Sequence, residues 1–173
     1  ELYDAGASRA AMDQAVSALN FLYRELYERS EEDFNVPRPR RQRTLPRVPT
    51  RQQILRMADE TIIRKHRLAI LTLYATGLRV SELCAANVSD ADLRTRTLWV
   101  WQAKGHKDRR TLLSEALEDD LVWLIGDRPG SDPLFPSDAG GRWTARSVQR
   151  VVRRAGQRAG LPMKVTPHIL RHA

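Results

Sequence analysis

Apolar side chains recur at helical spacing over the first part of the chain. Within residues 8–29 they form one stripe, which consists of Ala11, Ala15, Val16, Ala18, Leu19, Leu22 and Leu26. Such a stripe predicts one long amphipathic helix. A single helix cannot bury the stripe alone, so we expect it to pack on the rest of the chain, on a further segment or on a second copy.

The pattern after Thr50 predicts shorter helices. Thr50 is an N-cap residue for a helix through Met57, and residues 66–76 are apolar on almost every side, as in a helix buried in a core. Gly77 then occupies the usual position of a C-terminal glycine, and residues 81–86 begin another short helix.

One β-hairpin follows. Residues 97–101 alternate like a half-buried strand, residues 109–113 form the returning strand, and residues 102–108 are the loop between them. Trp99 and Trp101 share one face of the first strand. We expect them to pack in the core or against another domain rather than to stack on bases.

The last part of the chain is helical again. Ser114 is predicted to cap a helix that ends at Gly126, and another helix covers residues 142–159. Thr166 and Pro167 have the order of a cap and a first-turn proline. Together the elements predict a mainly α protein with a small antiparallel β-sheet, an α+β fold.

A proline- and arginine-rich segment separates the first helix from the rest. Since proline fixes an extended path, we predict three parts: residues 1–33, a basic linker at 34–49 and a domain at 50–173. A linker of this kind can track a phosphate backbone, and a solvated tether is the alternative. Its candidate phosphate-binding residues are Arg38, Arg40, Arg41 and Arg43.

The charge of the chain is basic and uneven. There are 29 Lys and Arg against 21 Asp and Glu, and 25 of the 29 are arginine. The planar guanidinium binds phosphate bidentately, which lysine does not. Residues 1–33 have a net charge of −5, so residues 34–173 hold +13 and are expected to meet an acidic partner. An arginine bias from GC-rich coding is the alternative explanation.

The helix at residues 142–159 has one arginine face. At about 100° per residue, its arginines fall on one side, and valines and alanines such as Val148 and Val152 fall on the other. A solvated face normally mixes both signs of charge, so this face indicates phosphate contact. Its members are Arg142, Arg146, Arg150, Arg153, Arg154 and Arg158.

Several protein classes are excluded by composition. Cys84 is the only cysteine, so an intramolecular disulfide is impossible and a zinc–thiolate site is not expected. No apolar run approaches the roughly 20 residues of a membrane span, and no secretion signal is recognisable, which predicts a cytoplasmic protein without a membrane partner. Because the chain starts at Glu1 and stops at Ala173 without a terminating signal, we expect a piece of a longer protein.

Four cationic or titratable residues at the ends of predicted elements suit phosphodiester chemistry. Arg79 follows a buried helix and has Glu82 three residues on, Lys104 lies at the hairpin tip, and His168 and Arg171 share a face at a helix start. Arginines hold the non-bridging oxygens and stabilise added charge. Lysine can protonate a leaving oxygen, and histidine can take or give a proton near neutral pH.

Three segments also carry recognisable motifs: ATGLRVSEL at residues 75–83, AKGHKDR at 103–109 and TPHILRH at 166–172. In this order they resemble the tyrosine recombinase (phage integrase) family, which includes Xer-type and integron integrases. The resemblance covers residues 45–173. Less specifically, residues 1–33 resemble the last helices of the family's core-binding (SAM-like) domain, which clamps the opposite face of DNA.

The resemblance implies DNA strand exchange without metal or cofactor. A tyrosine attacks a phosphodiester and forms a 3′-phosphotyrosyl bond, and the released 5′ hydroxyl later attacks the partner strand. The implied catalytic residues are Arg79 and Arg171 as phosphate clamps, His168 as proton shuttle and Lys104 as the acid for the 5′ oxygen. The implied supporting residues are Glu82 and His172.

The family's nucleophilic tyrosine has no counterpart here. In the family it follows the His-x-x-Arg pair, whereas the tyrosines of this chain are Tyr3, Tyr23, Tyr27 and Tyr74. We therefore expect the chain as given to bind double-stranded DNA without cleaving it. The resemblance also implies a homo-oligomer on DNA, which is a tetramer in the full-length family.

Two alternatives stay open. One is a non-catalytic DNA-binding or regulatory relic of a recombinase. The other is a metal-dependent nuclease, which is disfavoured because no carboxylate cluster accompanies Lys104 and His168 in the sequence.

Overall fold

The chain divides into two units, residues 1–45 and 46–173. The computed structural model describes residues 8–26, 48–103 and 107–173. The predicted division into a helical first part, a linker and a domain at 50–173 stays a prediction.

The first unit contains the predicted amphipathic helix. Helix α1 covers Arg9–Leu26, which confirms the helix as far as the described residues reach. Val16 of the apolar stripe is buried, whereas Leu19 and Leu22 are about two-fifths exposed. The stripe is therefore only partly covered.

Two capped helices begin the second unit. Helix α2 covers Arg51–Asp59, and the Thr50 hydroxyl accepts a hydrogen bond from the backbone N–H of Gln53, whose side chain in turn accepts from Thr50 N–H. Helix α3 covers Arg64–Thr76 and ends at Gly77, whose φ of 61° lies in the left-handed region that glycine adopts without strain. Both predicted caps are confirmed.

A short helix leads into a three-stranded sheet. Helix α4 covers Val80–Ala85, and a 3-10 turn covers Val88–Asp90. Strands β1 (Ala91–Asp92), β2 (Thr97–Ala103) and β3 (Lys107–Leu112) pair antiparallel in the order β1-β2-β3. The predicted hairpin is confirmed, but its strands are longer than expected and leave only three residues between them.

The two faces of β2 differ in burial. Leu98 and Val100 are buried in the core, whereas Trp99 and Trp101 are 37% and 55% exposed. The two indole rings stack with centroids 5.5 Å apart. The tryptophans share one face as predicted, but this face does not pack in the core, because the alternate positions of the strand fill it. Packing of the tryptophans against another domain stays a prediction.

Three helices complete the unit. Helix α5 covers Glu118–Ile125, α6 covers Ala145–Arg158 and α7 covers Pro167–His172. Ser114 does not cap α5 with its side chain, because a 3-10 turn at Glu115–Leu117 lies between the two. That part of the prediction is wrong.

Helix α6 begins three residues later than predicted. The first N–H groups of a helix need an acceptor outside its own ladder. Thr144 provides it, since its hydroxyl accepts a hydrogen bond from Ser147 N–H at 3.1 Å. Arg142 therefore precedes the helix rather than starting it.

Helix α3 lies at the centre of the core. Its Leu68, Ile70 and Leu73 are fully buried, and Leu121 of α5 and Val152 of α6 belong to the same hydrophobic cluster. The fold is mainly helical with a small antiparallel sheet, which confirms the predicted fold class. None of the helices in the described ranges has the length and apolar character that crossing a bilayer requires.

Candidate functional site

The turn after α3 positions an arginine and its acidic partner. Gly77 redirects the chain, and Arg79 is the N-cap residue of α4. Glu82, in the first turn of α4, accepts the Arg79 backbone N–H on Oε2 at 2.8 Å and Arg79 Nη1 on Oε1 at 2.7 Å. Because residues three apart meet on a helix, this pair forms within one local segment.

Glu82 also binds an arginine from the sheet. Nη2 of Arg109 on β3 donates to Glu82 Oε2 at 2.7 Å, and the Glu82 side chain is only 8% exposed. Burial acts to raise the pKa of this carboxyl, but the hydrogen bonds from Arg79 and the charge of Arg109 outweigh it, so the pKa lies below its ordinary value. Thr111 of β3 additionally donates to the Thr76 carbonyl at 3.1 Å. Strand β3 is thus bound to both sides of the turn.

Helix α7 brings a second arginine to the same turn. Thr166 caps the helix by accepting a hydrogen bond from Ile169 N–H at 3.3 Å. Arg171 packs beside Gly77, because a Cβ placed on that glycine would lie 3.8 Å from Arg171 Cγ. Arg171 Nη1 is buried and has no hydrogen-bond partner within the described part of the chain. Arg171 and Arg79 therefore approach one turn from two helices.

Two histidines on α7 are in contact. The Nε2 atoms of His168 and His172 are 3.2 Å apart, and the rings meet edge to face with centroids at 4.4 Å. In a hydrogen bond between neutral imidazoles, one ring donates and the other accepts. His172 therefore contacts Nε2 of His168, and this contact influences which ring nitrogen of His168 carries the proton.

His168 lines a groove of about 790 Å³ between α4, α6 and α7. Val80, the residue after Arg79, borders the groove on the α4 side. Its basic members are Arg146, Arg150, Arg153 and Lys164. We call it the His168 groove.

The arginine face of α6 is exposed to solvent. Val148 and Val152 are buried on the opposite side, as predicted. None of the face's five helical arginines forms a salt bridge with any residue that the structure describes. They are Arg146, Arg150, Arg153, Arg154 and Arg158.

Arg142 does not lie on this face. Its Nη1 donates to the Ala85 carbonyl at 2.7 Å, and its Nη2 donates to Asn87 Oδ1. The last carbonyls of α4 lack helical partners, and Arg142 provides one. The expectation that Arg142 belongs to the arginine face of α6 is wrong, because its guanidinium is bound within the chain.

Other candidate residues lie outside the described residues. These are Lys104 of the hairpin and Arg38, Arg40, Arg41 and Arg43 of the linker. Within the described ranges, no group of three His, Cys, Asp or Glu side chains has the arrangement of a metal site.

The comparison with protein families decides the relationship of the chain. The model described as "Phage integrase family" matches residues 49–173. The chain belongs to the phage integrase family. The motifs at residues 75–83, 103–109 and 166–172 all lie within the matched region.

Several named members of the phage integrase family and their structures are similar to the chain. Tyrosine recombinase XerA of Thermococcus kodakarensis is 33% identical over 174 residues, which covers 97% of this chain and 61% of that protein. Tyrosine recombinase XerD of Brucella suis biovar 1 is 34% identical over 175 residues, covering 88% and 56%. The chain therefore spans about three-fifths of the length of these relatives.

Solved structures of the phage integrase family share the fold. A crystal structure of XerA recombinase aligns with a TM-score of 0.68 at 28% identity, over 99% of this chain and 62% of that one. A λ integrase dimer bound to a core site aligns with a TM-score of 0.77 at 21% identity, over 99% and 67%. The second similarity shows the fold alone.

Two basic residues near the site were not singled out from the sequence. Arg109 lies in the second family motif but has no predicted role, because its contact with Glu82 joins positions 27 apart. Lys164 borders the His168 groove. One feature of the sequence could have pointed to Lys164. Residues 139–173 contain no Asp or Glu, so every charged side chain in that segment is basic.

Proposed function

We propose that the chain is part of a site-specific DNA recombinase or integrase that cleaves and rejoins strands through a 3′-phosphotyrosyl intermediate. The observation that carries this proposal is the approach of Arg79 and Arg171 to one turn. Two guanidiniums from different helices can hold the non-bridging oxygens of one phosphodiester and stabilise the charge added in the transition state. Membership of the phage integrase family supports the same chemistry.

The other site residues have supporting or proton-transfer roles in this proposal. Glu82 orients Arg79 through two hydrogen bonds. His168 transfers a proton, and His172 sets its tautomer through their 3.2 Å contact. Lys104 protonates the 5′ leaving oxygen, as the family resemblance implies. The reaction needs no metal and no cofactor, since the arginines supply the positive charge.

The same proposal assigns duplex binding to α6. Arg146, Arg150 and Arg153 line the groove that holds His168, so DNA bound there passes directly beside the proton-transfer residue. Arg154 extends the same basic face, and the linker arginines Arg38, Arg40, Arg41 and Arg43 are proposed to contact the phosphate backbone. The proposed partner is double-stranded DNA. Further copies of the protein assemble on this DNA, and the full-length protein does so as a tetramer. The proposed location is the cytoplasm.

The chain of 173 residues is proposed to bind DNA without cleaving it. Its last tyrosine is Tyr74, which is half-buried on α3, and no tyrosine follows the His168–Arg171 pair in the sequence. Residues 1–33 are proposed to be the end of the core-binding domain. The alternative proposal is a non-catalytic DNA-binding or regulatory relic of a recombinase.

A nicked suicide substrate tests the proposal. The chain as given should shift a labelled duplex in a gel, in a salt-sensitive manner, and form no covalent adduct. The protein translated from the gene beyond residue 173 should form the adduct, and Arg79→Ala or Arg171→Ala should abolish it while most DNA affinity remains. A stop codon directly after Ala173 would favour the relic, and wild-type adduct yields from either variant would overturn the assigned roles.

A further inference from the structure

A second cavity lies on the other flank of α6. It has a volume of about 440 Å³, and its walls include His66 of α3, Trp143 and Asp138. The half-buried imidazole of His66 packs against the Trp143 indole, with centroids 5.3 Å apart. We call it the His66 cavity.

The His66 cavity carries three unpaired guanidiniums. Arg150, Arg154 and Arg158 line it, and none of them forms a salt bridge within the described residues. The one carboxylate in its wall is Asp138, which accepts a hydrogen bond from Lys65 Nζ at 2.6 Å. Because Lys65 balances that carboxylate, the excess charge of the cavity comes from the three arginines.

The arginines form a continuous row along α6. Arg146, Arg150, Arg154 and Arg158 follow one another at intervals of four residues, so they lie on one ridge of the helix with a rise of roughly 6 Å between neighbours. Like charges at this spacing destabilise a helix, and no acid of α6 compensates them. A row of this kind is stabilised when a polyanion lies along it.

The row connects the two cavities. Arg146 and Arg150 line the His168 groove, while Arg150, Arg154 and Arg158 line the His66 cavity. Arg150 therefore faces both. A nucleic-acid backbone that enters the His168 groove and follows the ridge is in contact with arginines over its whole path to the His66 cavity.

We propose that the His66 cavity is a phosphate subsite that binds a backbone phosphate of the same DNA duplex through Arg154 and Arg158, with His66 as an additional donor. The inference rests on the proposed DNA binding and extends it to His66, which has no assigned role, and to one specific site for Arg158 of the arginine face. A phosphodiester matches the guanidinium forks.

The protonation of His66 responds to such an anion. Burial lowers the pKa of His66, Asp138 acts to raise it, and Lys65, Arg150 and Arg158 lower it further. A phosphate in the cavity favours the imidazolium, so DNA binding is accompanied by an upward shift of the His66 pKa. This gives the subsite a signal of its own, separate from overall affinity.

The first test measures the salt dependence of binding. Arg158→Ala removes a guanidinium that lines only the His66 cavity, and Arg94→Ala, on an exposed turn between β1 and β2, is the control with the same change of charge. With a labelled random-sequence duplex, losing one phosphate contact lowers the slope of log K against log[salt] by about 0.9. We expect this change and an affinity loss on the order of tenfold for Arg158→Ala only.

The outcomes separate the two proposals. If wild type fails to bind the duplex, the proposed DNA binding is wrong and the subsite falls with it. If wild type binds but Arg158→Ala and Arg94→Ala lose the same affinity and slope, only the subsite is overturned. Neither substitution removes a core side chain, so a folding defect is not expected, and circular dichroism checks this.

The second test follows the imidazole of His66 by NMR. The duplex should raise the His66 pKa in wild type and leave it unchanged in Arg158→Ala. Inorganic phosphate at the same concentration of phosphate groups should have a much smaller effect, because it lacks the contacts along the ridge; an equal effect would show a site for free phosphate and overturn the DNA assignment. A shift with a glutamate-rich peptide but none with the duplex would also overturn it and identify a protein partner.

Discussion

Glu82 connects two arginines from separate elements, and its replacement by glutamine tests whether this contact stabilises the site. Its carboxylate accepts three hydrogen bonds, from Arg79 N–H, Arg79 Nη1 and Arg109 Nη2. A glutamine retains one acceptor oxygen, but its NH₂ group then faces a donor. Glu82→Gln therefore loses at least one charge-assisted hydrogen bond and leaves two arginines without their counter-ion.

The magnitude follows from burial. A hydrogen bond to a charged group contributes about 1.5–3 kcal/mol. Arg79 and Arg109 are 38% and 33% exposed, so solvent screens part of the ion-pair energy, although Glu82 itself is only 8% exposed. We expect Glu82→Gln to lower the free energy of unfolding by about 2 kcal/mol at neutral pH, which corresponds to a drop in Tm of roughly 4–8 °C.

The lowered pKa of Glu82 predicts how the stability difference between wild type and Glu82→Gln changes with pH. The pKa of Glu82 lies below its ordinary value of 4.5, so the folded state holds the carboxylate more strongly than the unfolded state does. The advantage of wild type over Glu82→Gln is therefore complete above pH 4.5 and shrinks as the pH falls through the folded-state pKa. Urea unfolding followed by tryptophan fluorescence, at a series of pH values, measures it.

The matched control is Glu115→Gln. Glu115 forms a 2.8 Å ion pair with Arg96, but its side chain is 82% exposed. An exposed pair of this kind contributes below about 1 kcal/mol. The reasoning is refuted if Glu82→Gln costs no more than this control, or if its cost at neutral pH persists unchanged when the pH is lowered below the folded-state pKa of Glu82, where the carboxyl is protonated in both states of the wild-type protein.

Three further predictions concern the turn, the last helix and the arginine row. Gly77→Ala should cost about 1 kcal/mol of unfolding free energy, because φ is 61° and the new Cβ only touches Arg171 Cγ at 3.8 Å; Gly77→Asn should cost less, and equal Tm values for all three proteins would contradict this. Thr166→Ala should cost about 1 kcal/mol by removing the acceptor for Ile169 N–H, whereas Thr166→Ser retains it, so a chemical unfolding series that ranks serine with alanine would count against the cap. Arg154→Ala should raise the unfolding free energy by about 0.4–1 kcal/mol, since two like-charge pairs disappear, while it weakens duplex binding; a loss of Tm without DNA would show that repulsion is absent.

Local features of the molecule were predictable from neighbouring residues. The caps at Thr50 and Thr166 and the left-handed glycine at position 77 depend on side chains within a few positions, and the structure confirms them. The Arg79–Glu82 pair is local in the same sense, because three residues on a helix turn bring the two together. The mainly helical fold with one small sheet follows from the same periodicities.

Features that depend on distant residues were not predictable in this way. Arg142 was expected on the arginine face, but it binds the end of α4, 57 residues earlier in the chain. Trp99 and Trp101 were correctly predicted to share one face of the strand, but the opposite face, with Leu98 and Val100, is the one buried in the core. In both cases the deciding partner lies on another element, and its position is known only once the elements are packed.

The sequence by itself determined the presence of the helices, the caps at Thr50 and Thr166, the family motifs and the sign of the charge, because each depends on residue type and short spacing. Only the tertiary structure decided that Arg109 joins Arg79 at Glu82, that Arg171 packs on the same turn, and that one arginine row faces two cavities. The physical reason is that these contacts join side chains far apart in the chain, and the packing of α3 against its neighbouring elements brings them within reach.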